Sequence, residues 1–220
     1  MTHTLTNLHK AVTISGLLHF LGDNILPFLD KETDVFVHTW DIGDNRRWLY
    51  KLNRYKKYCN SIKVIIDQPK FEKKLHSYFY STYRAVNMMQ DISKYDKIIK
   101  FKPNLDGDVK YVGDLEYYFH KAYIQSRPLL EGIKKEDCLY GPIYYKTMDE
   151  RLFSGYPLAF QKAFHILEDK LVSEVLELDN ILTEKYGPTY EGSIFWKDWL
   201  ESKGVTLIHD IDLILPNNKN

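Results

Sequence analysis

Residues 34–41 read Asp34-Val35-Phe36-Val37-His38-Thr39-Trp40-Asp41, a short run with consecutive apolar residues at its start. Such a run suits a strand covered on both faces, the usual condition in a parallel sheet. Similar Val- and Ile-rich runs stand at residues 11–15, 61–67 and 95–102. The gaps between them, about 20 residues or more, exceed the ~10–12 residues that a parallel crossover requires. No Asn-Gly or Asp-Gly hairpin signal interrupts them. The reading is βαβαβαβ, an α/β fold with a mostly parallel sheet and helices on both faces.

Further out, the period changes to that of helices. Phe71, Leu75, Phe79, Val86 and Met89 fall on one stripe, predicting a helix over residues 71–93. Phe160, Phe164, Leu167, Leu171, Val175, Leu178 and Leu182 recur at three- or four-residue steps and predict one long helix over 157–182, with Pro157 in its first turn. A helix is expected to begin near Leu17, a short one near 193–202, and a last strand at 205–209. Residues 106–153 read as an irregular, Tyr-rich insertion, of the kind that is more often functional than not.

The 220 residues are 44% hydrophobic and 15% aromatic, which excludes disordered, collagen-like and disulfide-scaffold classes. One domain over 1–220 is expected, with frayed tails at 1–10 and 217–220. Lys plus Arg total 30, as do Asp plus Glu, so nothing favours nucleic acid or anionic lipid as partner. Arg46, Arg47, Lys51, Arg54, Lys56 and Lys57 interleave with Trp48, Tyr50, Tyr55 and Tyr58. With zero net charge, a helix with one solvated basic face is preferred to a single-strand nucleic-acid platform. No transmembrane segment or apolar leader is read, and the two Cys imply no disulfide framework, so a cytoplasmic protein is expected.

Dinucleotide, Walker, zinc and Gly-x-Ser-x-Gly motifs are missing from the sequence. What remains is acidic and follows the fourth run: Pro103-Asn104-Leu105-Asp106-Gly107-Asp108. Ligands in open α/β sheets bind beyond the carboxyl ends of strands. Two carboxylates one residue apart on such a turn suit Mg²⁺ or Mn²⁺ bridging a diphosphate, or they form a solvated turn. A second pair, Asp210 and Asp212, reads as a solvated strand edge. Gly16, after the first strand, either admits a phosphate to the backbone or makes a plain turn. Trp40 either stacks on a base or sugar, or caps the core. His38, inside a strand, reads as a satisfied core histidine.

Together these residues resemble a family of small GT-A-type glycosyltransferases and glycosyltransferase-like proteins of bacteria and large viruses, often found in surface-polysaccharide gene sets. Ile14-Ser15-Gly16 matches its first strand, and residues 34–41 resemble its "D-x-F-x-H-T-W-D" second strand. Ser81-Thr82-Tyr83-Arg84-Ala85 resembles its "S-x-Y-x-A" helix, and Tyr95-Asp96-Lys97-Ile98-Ile99 its "Y-D-x-I-I" strand. Met148-Asp149-Glu150-Arg151-Leu152-Phe153-Ser154-Gly155 is similar to an Asp-containing segment ahead of a long helix. Tyr190-Glu191, followed by Trp199-Leu200, is similar to the family's terminal region. One departure stands out: Lys102-Pro103-Asn104 replaces the family's Arg-x-Asp, so the metal site has moved onto Asp106 and Asp108 or metal dependence is weaker.

The resemblance implies a GT-A-like fold that moves a sugar from a nucleotide donor to a carbohydrate acceptor, in the cytoplasm of a bacterium or of a virus-infected host. Ser15, Gly16, Trp40, Asp41, Arg84, Lys102 and Asn104 would border the nucleotide, and Asp106 with Asp108 would hold Mn²⁺ or Mg²⁺. Asp149 is the first choice of general base and Glu191 the second. Capping the following helix is the alternative role for Asp149, and a place in a helix's first turn the alternative for Glu191. A catalytically silent nucleotide- or carbohydrate-binding protein of the same fold is the alternative function.

Overall fold

The computed structural model describes residues 9–18, 21–42, 46–103, 134–141, 143–144, 147–148 and 152–209. The first three strands are β1 (Lys10–Ser15), β2 (Thr33–Trp40) and β3 (Ser61–Asp67), followed by β4 (Lys97–Phe101). Then come β5 (Cys138–Gly141), the short β6 (Ile143–Tyr144) and β7 (Thr147–Met148), β8 (Leu152–Gly155) and finally β9 (Thr206–His209). The helices are α1 (Arg46–Tyr55), α2 (Lys74–Asn87), α3 (Pro157–Phe164), α4 (Glu168–Tyr186) and α5 (Gly192–Ser202). The main sheet runs β3-β2-β1-β4-β8-β5-β9, and β6 and β7 form a separate pair. β1 is parallel to both β2 and β4, and β2 to β3. β8 runs antiparallel between β4 and β5.

Alternation along each strand sorts side chains between two cores. Ala11 and Phe36 join a layer made by Phe79 and Val86 of α2, Phe160 and Phe164 of α3, and Phe195, Trp196 and Trp199 of α5. Val12, Ile14, Val35, Val37, Ile99 and Phe101 face the other way, against Ile25, Phe28, Leu52 and Tyr55. With both faces covered, β1, β2 and β4 are almost wholly buried, while the edge strand β3 is half exposed.

Five expectations shift. The first crossover is a 3₁₀ helix, Asp23–Phe28, in place of an α-helix from Leu17; Pro27 has no N–H to continue an α-helical ladder there. The helix expected over 71–93 covers only Lys74–Asn87. β4 starts at Lys97, because Ile92–Lys94 forms a 3₁₀ turn capped by Asp91. The long helix over 157–182 is two helices, α3 and α4, broken at residues 165–167. Within the supposedly irregular 106–153 and just beyond it lie β5 to β8. Gly155 explains the tight fit of β8 to β5: a Cβ there would stand 2.6 Å from the Cys138 carbonyl oxygen.

Candidate active site

β1, β2 and β4 run parallel, so their carboxyl ends lie along one edge of the sheet. From β1 the chain steps outward to β2 and β3, then returns to β4 on the other side of β1. That reversal of direction opens the kind of crevice in which α/β proteins bind ligands. A cavity of about 410 Å³ lies there, within the range of small-molecule sites. Gly16 follows β1, Trp40 and Ile42 come from the end of β2, Pro69 follows β3, and Lys102 with Pro103 follow β4. The segment leading into α2 adds Phe71 and Glu72, and the first turns of α2 close it with Lys74, Ser77 and Tyr78.

Below Gly16 a buried polar chain sets the backbone. Gly16 adopts φ +110°, a conformation that L side chains rarely take. Its N–H donates to Ser81 Oγ at 2.8 Å and also reaches the His38 carbonyl at 3.2 Å. Space is not the constraint, since a Cβ on Gly16 would meet Tyr78 only at 3.8 Å. Ser81 Oγ stands 2.8 Å from His38 Nδ1, and His38 Nε2 stands 3.1 Å from Asp67 Oδ2. Arg84 Nε donates to the same Asp67 oxygen at 2.9 Å. Ser81 Oγ also stands 3.2 Å from the His38 carbonyl oxygen. Its one proton goes to the nearer Nδ1 when His38 carries its own proton on Nε2, which satisfies the Gly16, Nδ1 and Asp67 contacts.

Charges follow from that arrangement. Burial draws the His38 pKa down from 6.5 to about 4, with Asp67 opposing and Arg84 and Lys70 reinforcing the shift. The imidazole is therefore neutral at pH 7. Burial pushes the Asp67 carboxyl up, but the His38 hydrogen bond and the Arg84 charge outweigh it and hold the group below its ordinary range. Ser81, His38 and Asp67 have the composition of a nucleophilic triad. Ser81 is fully buried with its oxygen already holding Gly16, so the chain is scaffold. Ser15, also buried, bonds Thr82 Oγ1 at 2.9 Å and adds a second tie between β1 and α2.

The walls are largely apolar and aromatic, with Lys74, Lys102 and the Glu72 carboxylate among them. Trp40 stacks on Tyr80 at 5.8 Å with planes 24° apart, and His38 meets its ring edge-on at 5.0 Å. Trp40 thus belongs to the core and also borders the cavity. Tyr78 lies 4.0 Å from Lys102 Nζ and 4.1 Å from the buried Lys100 Nζ. Such cation–π contacts hold ammonium groups close to the crevice.

Of the residues singled out in the sequence, the fold brings Gly16, Trp40 and Lys102 to this one cavity, with Ser15 directly beneath. Asp41 is exposed next to it, its carboxylate bonded by Gln68 Nε2 at 2.8 Å. Arg84 turns to Asp67, with Glu168 at 3.9 Å, and is not among the lining residues. Glu191 is exposed at the N-cap of α5, where Ser193 Oγ approaches it at 3.4 Å. Asn104, Asp106, Asp108 and Asp149 lie outside the described residues, as do Asp210 and Asp212. Among the described residues no three His, Cys, Asp or Glu side chains group as metal ligands.

Sequence reasoning passed over Tyr78, Ser81 and Asp67 as parts of the site. Ser81 did carry a signal, as the first residue of the "S-x-Y-x-A" match. Tyr78 and Asp67 carried none, because their roles depend on how α2 lies across the sheet.

No known family profile and no curated protein matches the chain. Among solved structures, the glycosyltransferase GlyE of Streptococcus pneumoniae TIGR4 superposes with a TM-score of 0.50 at 12% identity. It covers 94% of this chain, and this chain spans 46% of that protein's length. Mouse xyloside xylosyltransferase 1 superposes at 0.39 with 10% identity, covering 92% of this chain and 84% of its own. A mannosyltransferase of Pyrobaculum calidifontis, solved with GDP-Man and Mn²⁺, reaches 0.39 at 6% identity, covering 91% and 70%. Neither of the last two bears weight at that score. The likeness to GlyE concerns the fold: a GT-A-like α/β architecture on a mostly parallel seven-stranded sheet.

Proposed function

We propose that the protein is a glycosyltransferase that takes a sugar from a nucleotide donor and passes it to a carbohydrate acceptor. The observation that supports this most is the cavity beyond the carboxyl ends of β1, β2 and β4, where Gly16, Trp40 and Lys102 meet. Its walls combine flat aromatic surface with Lys74, Lys102 and the amino end of α2, which suits a planar base or sugar joined to an anion, and the Glu72 carboxylate also lines it. In this reading the acceptor oxygen bonds to the donor's anomeric carbon while the bond to the diphosphate breaks. The acceptor proton passes to Asp149, with Glu191 as the second choice, and Lys102 meets the charge on the departing diphosphate. Pro103 borders the cavity, and Asp106 follows it by three residues in sequence. A divalent cation on Asp106 and Asp108 would neutralise diphosphate oxygens.

Thermal unfolding with a panel of nucleoside diphosphates and nucleotide sugars, with and without Mn²⁺, tests the proposal. A ligand at 100 times its dissociation constant adds about 2.7 kcal/mol of stability, an easily measured shift. The expected result is stabilisation by one nucleotide class, increased by Mn²⁺. Asp106→Ala and Asp108→Ala should remove that increase and metal-dependent transfer while leaving the free protein's Tm nearly unchanged. A protein indifferent to every nucleotide overturns the proposal. Tight glycan binding without metal response identifies a binding module instead.

A further inference from the structure

The edge strand β3 is seven residues long, Ser-Ile-Lys-Val-Ile-Ile-Asp, and among the described residues it pairs only with β2. Edge strands are usually blunted by proline, bulges or several charges. β3 has no proline within it and carries a single lysine, while Val64 and Ile66 remain 37% and 39% exposed. We propose that β3 is the contact strand of a two-fold dimer, in which a second copy of this chain pairs antiparallel with it.

Backbone geometry and side-chain order together select the register. Asp41 N–H donates to the Asp67 carbonyl, so the odd-numbered residues of β3 turn their backbone groups toward β2. Ile62, Val64 and Ile66 then present N–H and C=O to the edge that no strand among the described residues pairs with. An antiparallel pair centred on Ile65 sets Val64 opposite Ile66 of the second copy, where each exchanges both hydrogen bonds. The same register sets Lys63 opposite Asp67 on the face shared with α2. Lys63 lies on that face over the Phe36 ring, and Asp67 points there to His38 and Arg84. Both of those contacts use Asp67 Oδ2, which leaves Oδ1 to receive the lysine. Centring the pair on Val64 or Ile66 instead puts Lys63 opposite Ile65 or Pro69 and loses the match. The strand is self-complementary in charge and backbone hydrogen bonding under one two-fold axis, the condition for an isologous contact. A contact of one strand is smaller than the usual ~1,600 Å² interface, so the dimer should dissociate in the micromolar range.

Sedimentation velocity on the full chain, from about 1 to about 200 µM, tests this. The wild type should pass from monomer to dimer within that range. Val64→Lys and Lys63→Asp, both on exposed positions, should each raise the dissociation constant about tenfold or more with unchanged circular dichroism. Register is tested by Ile65→Cys, which the two-fold places against its own copy at a distance a disulfide spans. It should cross-link under mild oxidation, whereas Ser61→Cys should not; native Cys59 and Cys138 are buried and give little background. A monomer at every concentration overturns the proposal, and so does a dimer untouched by both edge substitutions. Cross-linking through Ser61→Cys but not Ile65→Cys overturns the register and with it the charge argument.

Discussion

His38 is the residue on which the site's acid behaviour turns. Its side chain is fully buried between Ser81 and Asp67, with Arg84 and Lys70 as the nearby charges. A folded pKa of about 4 below an unfolded value of 6.5 means that the unfolded chain takes up the proton first. Its stabilising contribution is complete above pH 6.5, falls as pH drops toward 4, and is on the order of 3 kcal/mol across that window. His76 and His165 are also lowered by burial and add to the same trend. Urea unfolding between pH 7.5 and pH 4 should show this loss, and His38→Gln should start less stable but lose less on acidification. Equal slopes for the two proteins would remove His38 from the account. None of this was visible in the sequence beyond the bare expectation of a satisfied histidine, because its partners lie 29 and 43 residues away.

At the scale of elements, the break between α3 and α4 shows where periodicity misleads. Phe164 and Ile166 do not give their carbonyls to a continuing helix. Asn87 Nδ2 bonds the first at 2.8 Å, and Tyr83 OH bonds the second at 3.1 Å, both reaching from α2. Beyond the break, Glu168 accepts from Tyr80 OH and Lys70 Nζ. The turn rotates the stripe, so Leu167, counted with the apolar positions, is 80% exposed, while Leu171 is buried. Leu167→Lys should therefore change stability by less than about 0.5 kcal/mol, and Leu171→Ala should cost about 2–5 kcal/mol. Denaturant titration of the two variants decides the matter; a large loss for Leu167→Lys would mean that one continuous helix is the correct description.

Across the whole molecule, the two ends of β2 do different work. At its amino end Asp34 is buried and accepts from Asn60, Ser61, Lys94 and Tyr95. Burial pushes its carboxyl up, but these partners outweigh burial and hold it far below the ordinary range. They tie the entrances of β3 and β4 to β2. At the carboxyl end the same strand delivers Trp40 to the cavity, beside Lys102 from β4. Asp34→Ala should cost about 2–4 kcal/mol and leave ligand affinity unchanged where the protein stays folded. Lys102→Ala should weaken binding of the proposed nucleotide donor about tenfold, roughly 1.4 kcal/mol, with little change in Tm. Paired calorimetry and denaturation would separate the two roles; a variant that moved both quantities together would show that the ends are not independent.

What the amino-acid order determined alone is the run of β1 to β4, their parallel pairing and the placing of Gly16, Trp40 and Lys102 at strand ends. Burial on both faces writes itself as short apolar runs, and the connections are long enough for parallel crossovers, so both are local signals. Only the tertiary structure decided that Tyr78 and Ser81 of α2 complete the cavity and its floor, that Arg84 serves Asp67, and that β8 enters the sheet antiparallel beside β4. Those outcomes depend on contacts between residues far apart in the chain. No periodicity within a single segment encodes which helix a buried serine or arginine will face once the layers pack.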